Sequence, residues 1–274
     1  MRLQNIEAAG DTDAALAAAY PLRVVRLTHG LTHHPLLQPA ALADAALTMA
    51  DAHVECRTSA TAGFADSGVT KAQLMRHILD GDVDGWLMLR FVDQVSAYRD
   101  LLADTLASYA PIIEPVTGPM RDPKAFIFLS SDQTVTPLHI DPTYNILFQI
   151  SGSKLFSTYP LAPPVVTAEV EEGFHSRGDN LLPWNDAVAA LGQDERLEPG
   201  DAIYVPHKLP HRVAVAGGLS ISISMTWKSD WSMAEGAAHR ANARLRALGW
   251  NPPPVARWPK TSHMRALAAR ILER

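Results

Sequence analysis

Short apolar runs dominate the chain from about Ala125 onward: "AFIFLSS", "YNILFQIS", "KLFSTYP", "DAIYVP", "HRVAVA" and "LSISISMTW", each bounded by turn-forming residues. Gly152, Gly200, Gly217 and Gly218 stand at the breaks, and such a density of short strands predicts an antiparallel sandwich or barrel. In "LSISISMTW" the residues Leu219, Ile221, Ile223 and Met225 alternate with Ser220, Ser222, Ser224 and Thr226. Side chains along a strand alternate between its two faces, so one face belongs to a core and the other, polar, is able to line a cavity.

Before Ala125 the pattern is mixed. Helical spacing of apolar residues marks Pro39 to Val54, Thr70 to Leu79 and, most clearly, Gln94 to Tyr109, whereas "WLMLRFV" at Trp86 to Val92 reads as a buried strand. Ala162 to Glu198 is a polar, turn-rich insertion, too long for an idle connector, and predicts a lid or a rim. Past Trp231 the spacing of Ala234, Ala237, Ala238, Ala241, Leu245 and Leu248 predicts a helix stopped by Gly249 and "NPPP", and a last helix is predicted over Ser262 to Leu272.

Composition narrows the class more than the fold. At 274 residues, 47% apolar and 19% charged, the chain has the balance of a globular protein with one large domain, or one domain with additions. Its formal charge of -5, without a block of like charge, argues against a dedicated nucleic-acid binder. The single cysteine, Cys56, excludes an internal disulfide and a multi-cysteine zinc site, fits a reducing, cytoplasmic compartment, and is expected to be a small buried hydrophobe. Acidic residues interrupt the Ala-rich N-terminal stretch, which reads as no signal peptide, and the absence of an apolar run near 18 residues reads as no membrane span.

The candidate chemistry lies in "TPLHIDPTYNILFQISGSK", Thr136 to Lys154. Positions i and i+2 of a strand share a face, so His139 and Asp141 can reach one ion together; alone, the pair is a weak signal that arises often by chance as polar punctuation at a strand end. A third donor is available in "EPGDAIYVPHKLPHRVAV", where His211 opens a strand after a proline. Two histidines and a carboxylate on one face of an octahedral ion leave three positions open, as in non-haem Fe(II) oxygenases. His207 is a weaker ligand candidate than His211, and His175 reads as a solvated loop residue or a substrate contact. Trp184 and Trp227 are read as packing residues or as pocket walls.

Taken together, Thr136, His139, Asp141, Asn145 and Lys154, followed by the Pro-Gly-Asp turn, strand and His211, resemble the motif of the JmjC/cupin-like 2-oxoglutarate oxygenases. The likeness is greatest to the branch typified by the asparaginyl hydroxylase that inhibits hypoxia-inducible factor, and it spans roughly Ala125 to Lys228. It implies a mainly β chain with flanking helices, built on a double-stranded β-helix (jelly-roll) core. That core would occupy residues 121–231 with its insertion at 162–198, after an α/β N-terminal extension at 1–120 that packs on the barrel, and before a helical segment at 232–274.

The resemblance also implies Fe(II) at His139, Asp141 and His211, with 2-oxoglutarate and O2 as co-substrates and Thr136 and Lys154 holding the distal carboxylate. Asn145 would bridge the co-substrate or a metal-bound water, and Ser224 stands where the hydroxylase branch has an asparagine, which unsettles the contacts at the co-substrate's metal-binding end. The expected reaction is hydroxylation of a protein, peptide or small-molecule substrate, with N-demethylation or a non-catalytic metal-binding regulatory module as the alternatives. The C-terminal helices carry two readings, a homodimer contact as in the hydroxylase branch, or packing on their own barrel.

Overall fold

The computed structural model describes residues 10–58, 76–78, 80, 85–131 and 134–262. The helices expected over Thr70 to Leu79 and Ser262 to Leu272 fall largely outside those residues, as does the side chain of Cys56.

Helix α1 (Gly10–Ala19) leads into strand β1 (Val25–Thr28), helix α2 (Pro39–Thr48) and the antiparallel pair of β2 (Val54–Thr58) with β3 (Gly85–Leu89). Helix α3 (Ser96–Thr117) then precedes strand β4 (Arg121–Ser130). It runs on past Tyr109, where its sequence suggested an end, with Pro111 and Pro115 inside it. Its buried residues, among them Tyr98, Leu102, Leu106, Tyr109 and Ile113, hold it on the core through the proline positions. Strands β5 (Val135–His139) and β6 (Tyr144–Thr158) come next, followed by α4 (Ala168–Arg177), α5 (Asp186–Ala189) and β7 (Gln193–Leu197). Strands β8 (Asp201–Val205) and β9 (His211–Lys228) and helix α6 (Asp230–Ala247) complete the order.

The strands pair in the order β1-β8-β6-β9-β4-β3-β2, with β5 on β9 and β7 on β6 away from that path. Strands β6 and β9 are long, and each serves two layers. Their halves from Tyr144 to Gln149 and from Ser222 to Trp227 form the centre of a large layer, while Lys154 to Thr158 and His211 to Val215 carry β7 and β5 in a small one. This is the double-stranded β-helix that the sequence motif implied. Gly152 and Gly217–Gly218, which looked like strand ends, instead bend two continuous strands.

Gly152 is the sharper constraint. Its φ is +63, and a Cβ there would stand 2.5 Å from the carbonyl oxygen of Leu219 on β9. Gly218 shares the left-handed φ, +64, but a Cβ would meet nothing within 4 Å. Gly152→Ala is therefore expected to cost at least about 2 kcal/mol, strain and backbone clash together, and Gly218→Ala only about 1 kcal/mol. Urea denaturation of the two variants checks that order.

The alternation in "LSISISMTW" sorts as its pattern requires. Ile221, Ile223, Met225 and Trp227 join Ile127, Ile146 and Phe148 in the principal core, which also takes in Leu16, Leu42, Leu102 and Ile113 from the first 120 residues. Ser220, Ser222, Ser224 and Thr226 face the other way, also buried, and each is bonded. Gln149 donates to Ser220 at 2.8 Å, Lys154 to Ser222 at 2.6 Å, Ser224 donates to Asn145 at 2.5 Å, and Thr226 to the Lys124 carbonyl at 3.4 Å. The four hydroxyls thus form a bonded polar face, and the apolar core lies on the other side of the strand.

The insertion lies along both edges of the small layer, the position of a rim. Its strand β7 pairs with the small layer at β6, and residues 180–182 bond to β5 on the opposite side, Ile140 N–H to the Asn180 carbonyl at 3.0 Å and Leu182 N–H to the Leu138 carbonyl at 2.9 Å. Val165, Val166, Phe174 and Val188 of the insertion pack with Leu138, Ile140 and Tyr159 into a second apolar cluster. Helix α6 buries Ala237, Ala238 and Ala241 within its own chain. Among the described residues no helix is long and apolar enough to cross a membrane.

Candidate metal centre

His139 and His211 are cross-strand partners in the β5–β9 ladder, so their rings project from the same face, with centroids 4.1 Å apart. Pro137, which has no N–H to give, lies where that ladder loses register between Thr136 and His139. Asp141 follows two residues later, at the mouth of the barrel. Its Oδ2 lies 3.7 Å from His139 Nε2 and 3.6 Å from His211 Nε2, and the three side chains offer donor atoms within 4.8 Å of one another.

The tautomers follow from the second nitrogens. His139 Nδ1 sits 2.8 Å from the Pro137 carbonyl and His211 Nδ1 2.9 Å from that of Leu209. A carbonyl only accepts, so each Nδ1 carries the proton and each Nε2 turns a lone pair toward the carboxylate. Burial, reinforced by the neighbouring His139, pushes the His211 imidazole down to about 4, which keeps it neutral. Two lone pairs and a carboxylate oxygen facing one another call for a cation, and orienting carbonyls behind the imidazoles are what metal-ligating histidines use. The residues present fit an ion. Phe156 stacks on His211 at 5.2 Å, with planes 10° apart, and covers one face of its ring.

Deeper in the barrel, Lys154 is 3% exposed. Its ammonium donates to Ser222 and lies 5.4 Å from the Phe128 ring centroid, and no carboxylate pairs with it among the described residues. Burial lowers its pKa to about 7. A buried cation matched only by a hydroxyl and a ring face is the environment an anionic ligand completes. Across β9, Thr136 pairs with Val213 and Lys154 with Val215, so the two residues flank that strand on one face, one pleat apart. Asn145 is buried, its amide oxygen held by Ser224, which places both residues in the same polar interior.

The other candidates separate clearly. Trp227 is fully buried and stacked between Tyr144 and Tyr204, at 5.9 and 6.3 Å, as a core residue. Trp184 is half exposed on the rim, edge-on to Tyr159 and beneath Arg212. His175 is no solvated loop residue: it lies in α4, stacks on His239 at 5.1 Å, and is pushed down to about 2, chiefly by burial and next by the charge of Lys208. His207 is buried against Glu235 at 2.8 Å. With Glu171, Lys208, His239 and Arg257 these residues form a second polar cluster that the sequence did not reveal, because its members are scattered from α4 to the segment after α6. A cavity of about 100 Å³ beside it is bounded by Tyr144, Lys208, Trp231 and Trp258, and none of His139, Asp141 and His211 lines it.

The chain is similar to the solved structure of E. coli ycfD, at 16% identity over 95% of this chain and 66% of that one, with a TM-score of 0.52. The same E. coli protein, described as a ribosomal oxygenase in complex with cobalt and 2-oxoglutarate, gives 16% identity over 94% and 65% of the two chains and a TM-score of 0.49. Among curated proteins, "Lysine-specific demethylase JMJ30" of Arabidopsis thaliana is 29% identical over 111 residues, 35% of this chain and 24% of that protein. The chain therefore spans about a quarter of the demethylase and just under two thirds of the E. coli protein. The model of the family described as "Cupin-like domain" matches residues 64–233, more than half of the chain and all of both layers' central strands, and the chain belongs to that family.

Proposed function

We propose that the protein is an Fe(II)- and 2-oxoglutarate-dependent oxygenase that hydroxylates a C–H bond of a protein, peptide or small-molecule substrate and releases succinate and CO2. The observation that carries this reading is the convergence of His139, Asp141 and His211 in one barrel whose interior also holds the ammonium of Lys154, which has no carboxylate partner among the described residues. Iron(II), with the co-substrate and dioxygen, supplies an oxidant able to attack an unactivated C–H bond.

The chain's own part is to hold and orient. His139, Asp141 and His211 would hold the ion through Nε2, a carboxylate oxygen and Nε2. Lys154 would meet the distal carboxylate of 2-oxoglutarate, with Thr136 beside it, and Ser224, which donates to the Asn145 amide oxygen, would fix that amide for the co-substrate's other end. Phe156, itself buried, shields one face of the His211 ring from water. Substrate would approach over the rim, where Leu181, bridged to His139, is exposed and Trp184 is half exposed against Tyr159 and Arg212. N-demethylation is the second outcome open to the same chemistry, and the partial likeness to a lysine demethylase favours keeping it in view.

The test is an anaerobic titration of the protein with Fe(II), with and without 2-oxoglutarate, followed in the visible range. A weak charge-transfer band that needs both additions is the expected result. No band under any condition overturns the proposal. Admission of oxygen and analysis for succinate then separates a 2-oxoglutarate oxygenase from a cupin that uses the metal alone.

A further inference from the structure

The turn that joins β8 to β9 has a backbone its own sequence disfavours. Leu209 N–H closes it on the Pro206 carbonyl at 3.0 Å, and Lys208, at φ +61, occupies the third position, where such a turn favours glycine. This lysine is also 1% exposed. Something outside the turn must hold it.

That support comes from two helices. Lys208 Nζ lies 2.7 Å from Glu171 of α4 and 2.9 Å from Glu235 of α6. Arg257 completes Glu171 with two bonds of 2.7 and 2.8 Å, and the preceding turn residue, His207, is bonded to Glu235 at 2.8 Å. Two carboxylates thus face two cations, and the cluster is balanced. His175, His207 and Glu235, and likewise Glu171, Glu235 and His239, offer donors within 4.8 Å of one another. The ammonium of Lys208 is already the cation between those carboxylates, and a divalent ion beside it would unbalance them.

The same turn touches two of the three candidate ligands. Lys208 N–H donates to the Asp141 carbonyl at 3.1 Å, and the Leu209 carbonyl accepts from His211 Nδ1 at 2.9 Å. We propose that Lys208 is a positioning residue: clamped between Glu171 and Glu235, it locks the 206–209 turn in the left-handed form that aims Asp141 and His211 at the ion. This rests on the reading of His139, Asp141 and His211 as metal ligands. It makes α4, part of the insertion, a support of the metal centre as well as a rim.

The experiment is a titration of the full chain with Co(II) alone, followed by its visible ligand-field absorption, with folding checked by circular dichroism. Lys208→Met is expected to bind Co(II) about 10- to 100-fold more weakly than the wild type. Should that variant not fold, Lys208→Met/Glu235→Gln restores the charge balance and shows the same loss. In the Glu235→Gln background, Lys208→Gly adopts the left-handed backbone without a clamp, so it should bind about fivefold more tightly than Lys208→Met. Glu172→Gln, which loses the Arg246 bonds of 2.8 and 3.0 Å between the same two helices, is the control and should bind as the wild type does. Wild-type affinity in folded Lys208→Met, or equal affinity of the Met and Gly double variants, overturns this inference and leaves the metal reading standing. Failure of the wild type to bind Co(II), or binding that survives His211→Ala, overturns both.

Discussion

Lys154→Met is expected to make the apoprotein more stable and to weaken 2-oxoglutarate binding about 100-fold or more. The amine sits at full burial with a pKa of about 7, so the folded state holds its proton less tightly than the unfolded chain does. Between about pH 7 and the ordinary lysine value the unfolded state carries more protons, and wild-type stability should rise with pH across that window; below it the cost is fully present. Replacing the amine by an apolar side chain removes that cost, and leaving Ser222 without its donor returns part of it, for a net gain of about 1–3 kcal/mol near neutral pH. The same substitution would delete the cation proposed to face the co-substrate's distal carboxylate, a loss worth about 3–5 kcal/mol in affinity. Thermal melts from pH 6 to 10, with calorimetric titration of 2-oxoglutarate into the Fe(II) protein, read both halves. A wild-type affinity that falls about tenfold for each pH unit well above 7 would identify the ammonium as the binding form. Equal loss of iron and of 2-oxoglutarate in Lys154→Met would remove Lys154 from its assigned place.

The second large effect is expected at the ligands. Asp141→Ala and His211→Ala should each weaken Fe(II) binding on the order of 1,000-fold, beyond the 10- to 100-fold that outer-shell changes bring. The fold should survive both. The Asp141 side chain is 35% exposed, and the His211 ring, although stacked on Phe156, lies outside the principal core. Far-UV circular dichroism unchanged from wild type, together with loss of the charge-transfer band, is the expected pair of readings. A band that persists at full intensity in either variant would place the iron elsewhere.

Much of this was legible in the sequence because it is local or strictly periodic. The alternation from Leu219 to Thr226 stated which face is apolar, and the i, i+2 spacing of His139 and Asp141 stated which side chains share a face. The bends were harder. A glycine that kinks a continuous strand leaves the same mark as a glycine that ends one, so Gly152 and Gly217 looked like breaks until the register of β6 on β9 was known. Strand β7, "QDERL", is an exposed edge with one buried residue, Leu197, and so has no apolar period to read. The cluster around Lys208 was illegible for a different reason. Ion pairs among Glu171, Lys208, Glu235 and Arg257 obey distance alone, and distance between remote residues is settled only by the packing of α4 against α6.

The long pairing of β6 with β9 also bears on the order in which the molecule assembles. It joins Tyr144 to Trp227 and Thr158 to His211, so the chain between them must be closed into a loop before the ladder repays that entropy. An unfolded chain could offer a metal His139 and Asp141 as neighbours, but His211 arrives only when β9 has docked between β5 and β6. An ion held by these three residues would therefore be a late arrival that tightens a finished barrel by mass action, in contrast to small zinc domains whose folding waits for the metal.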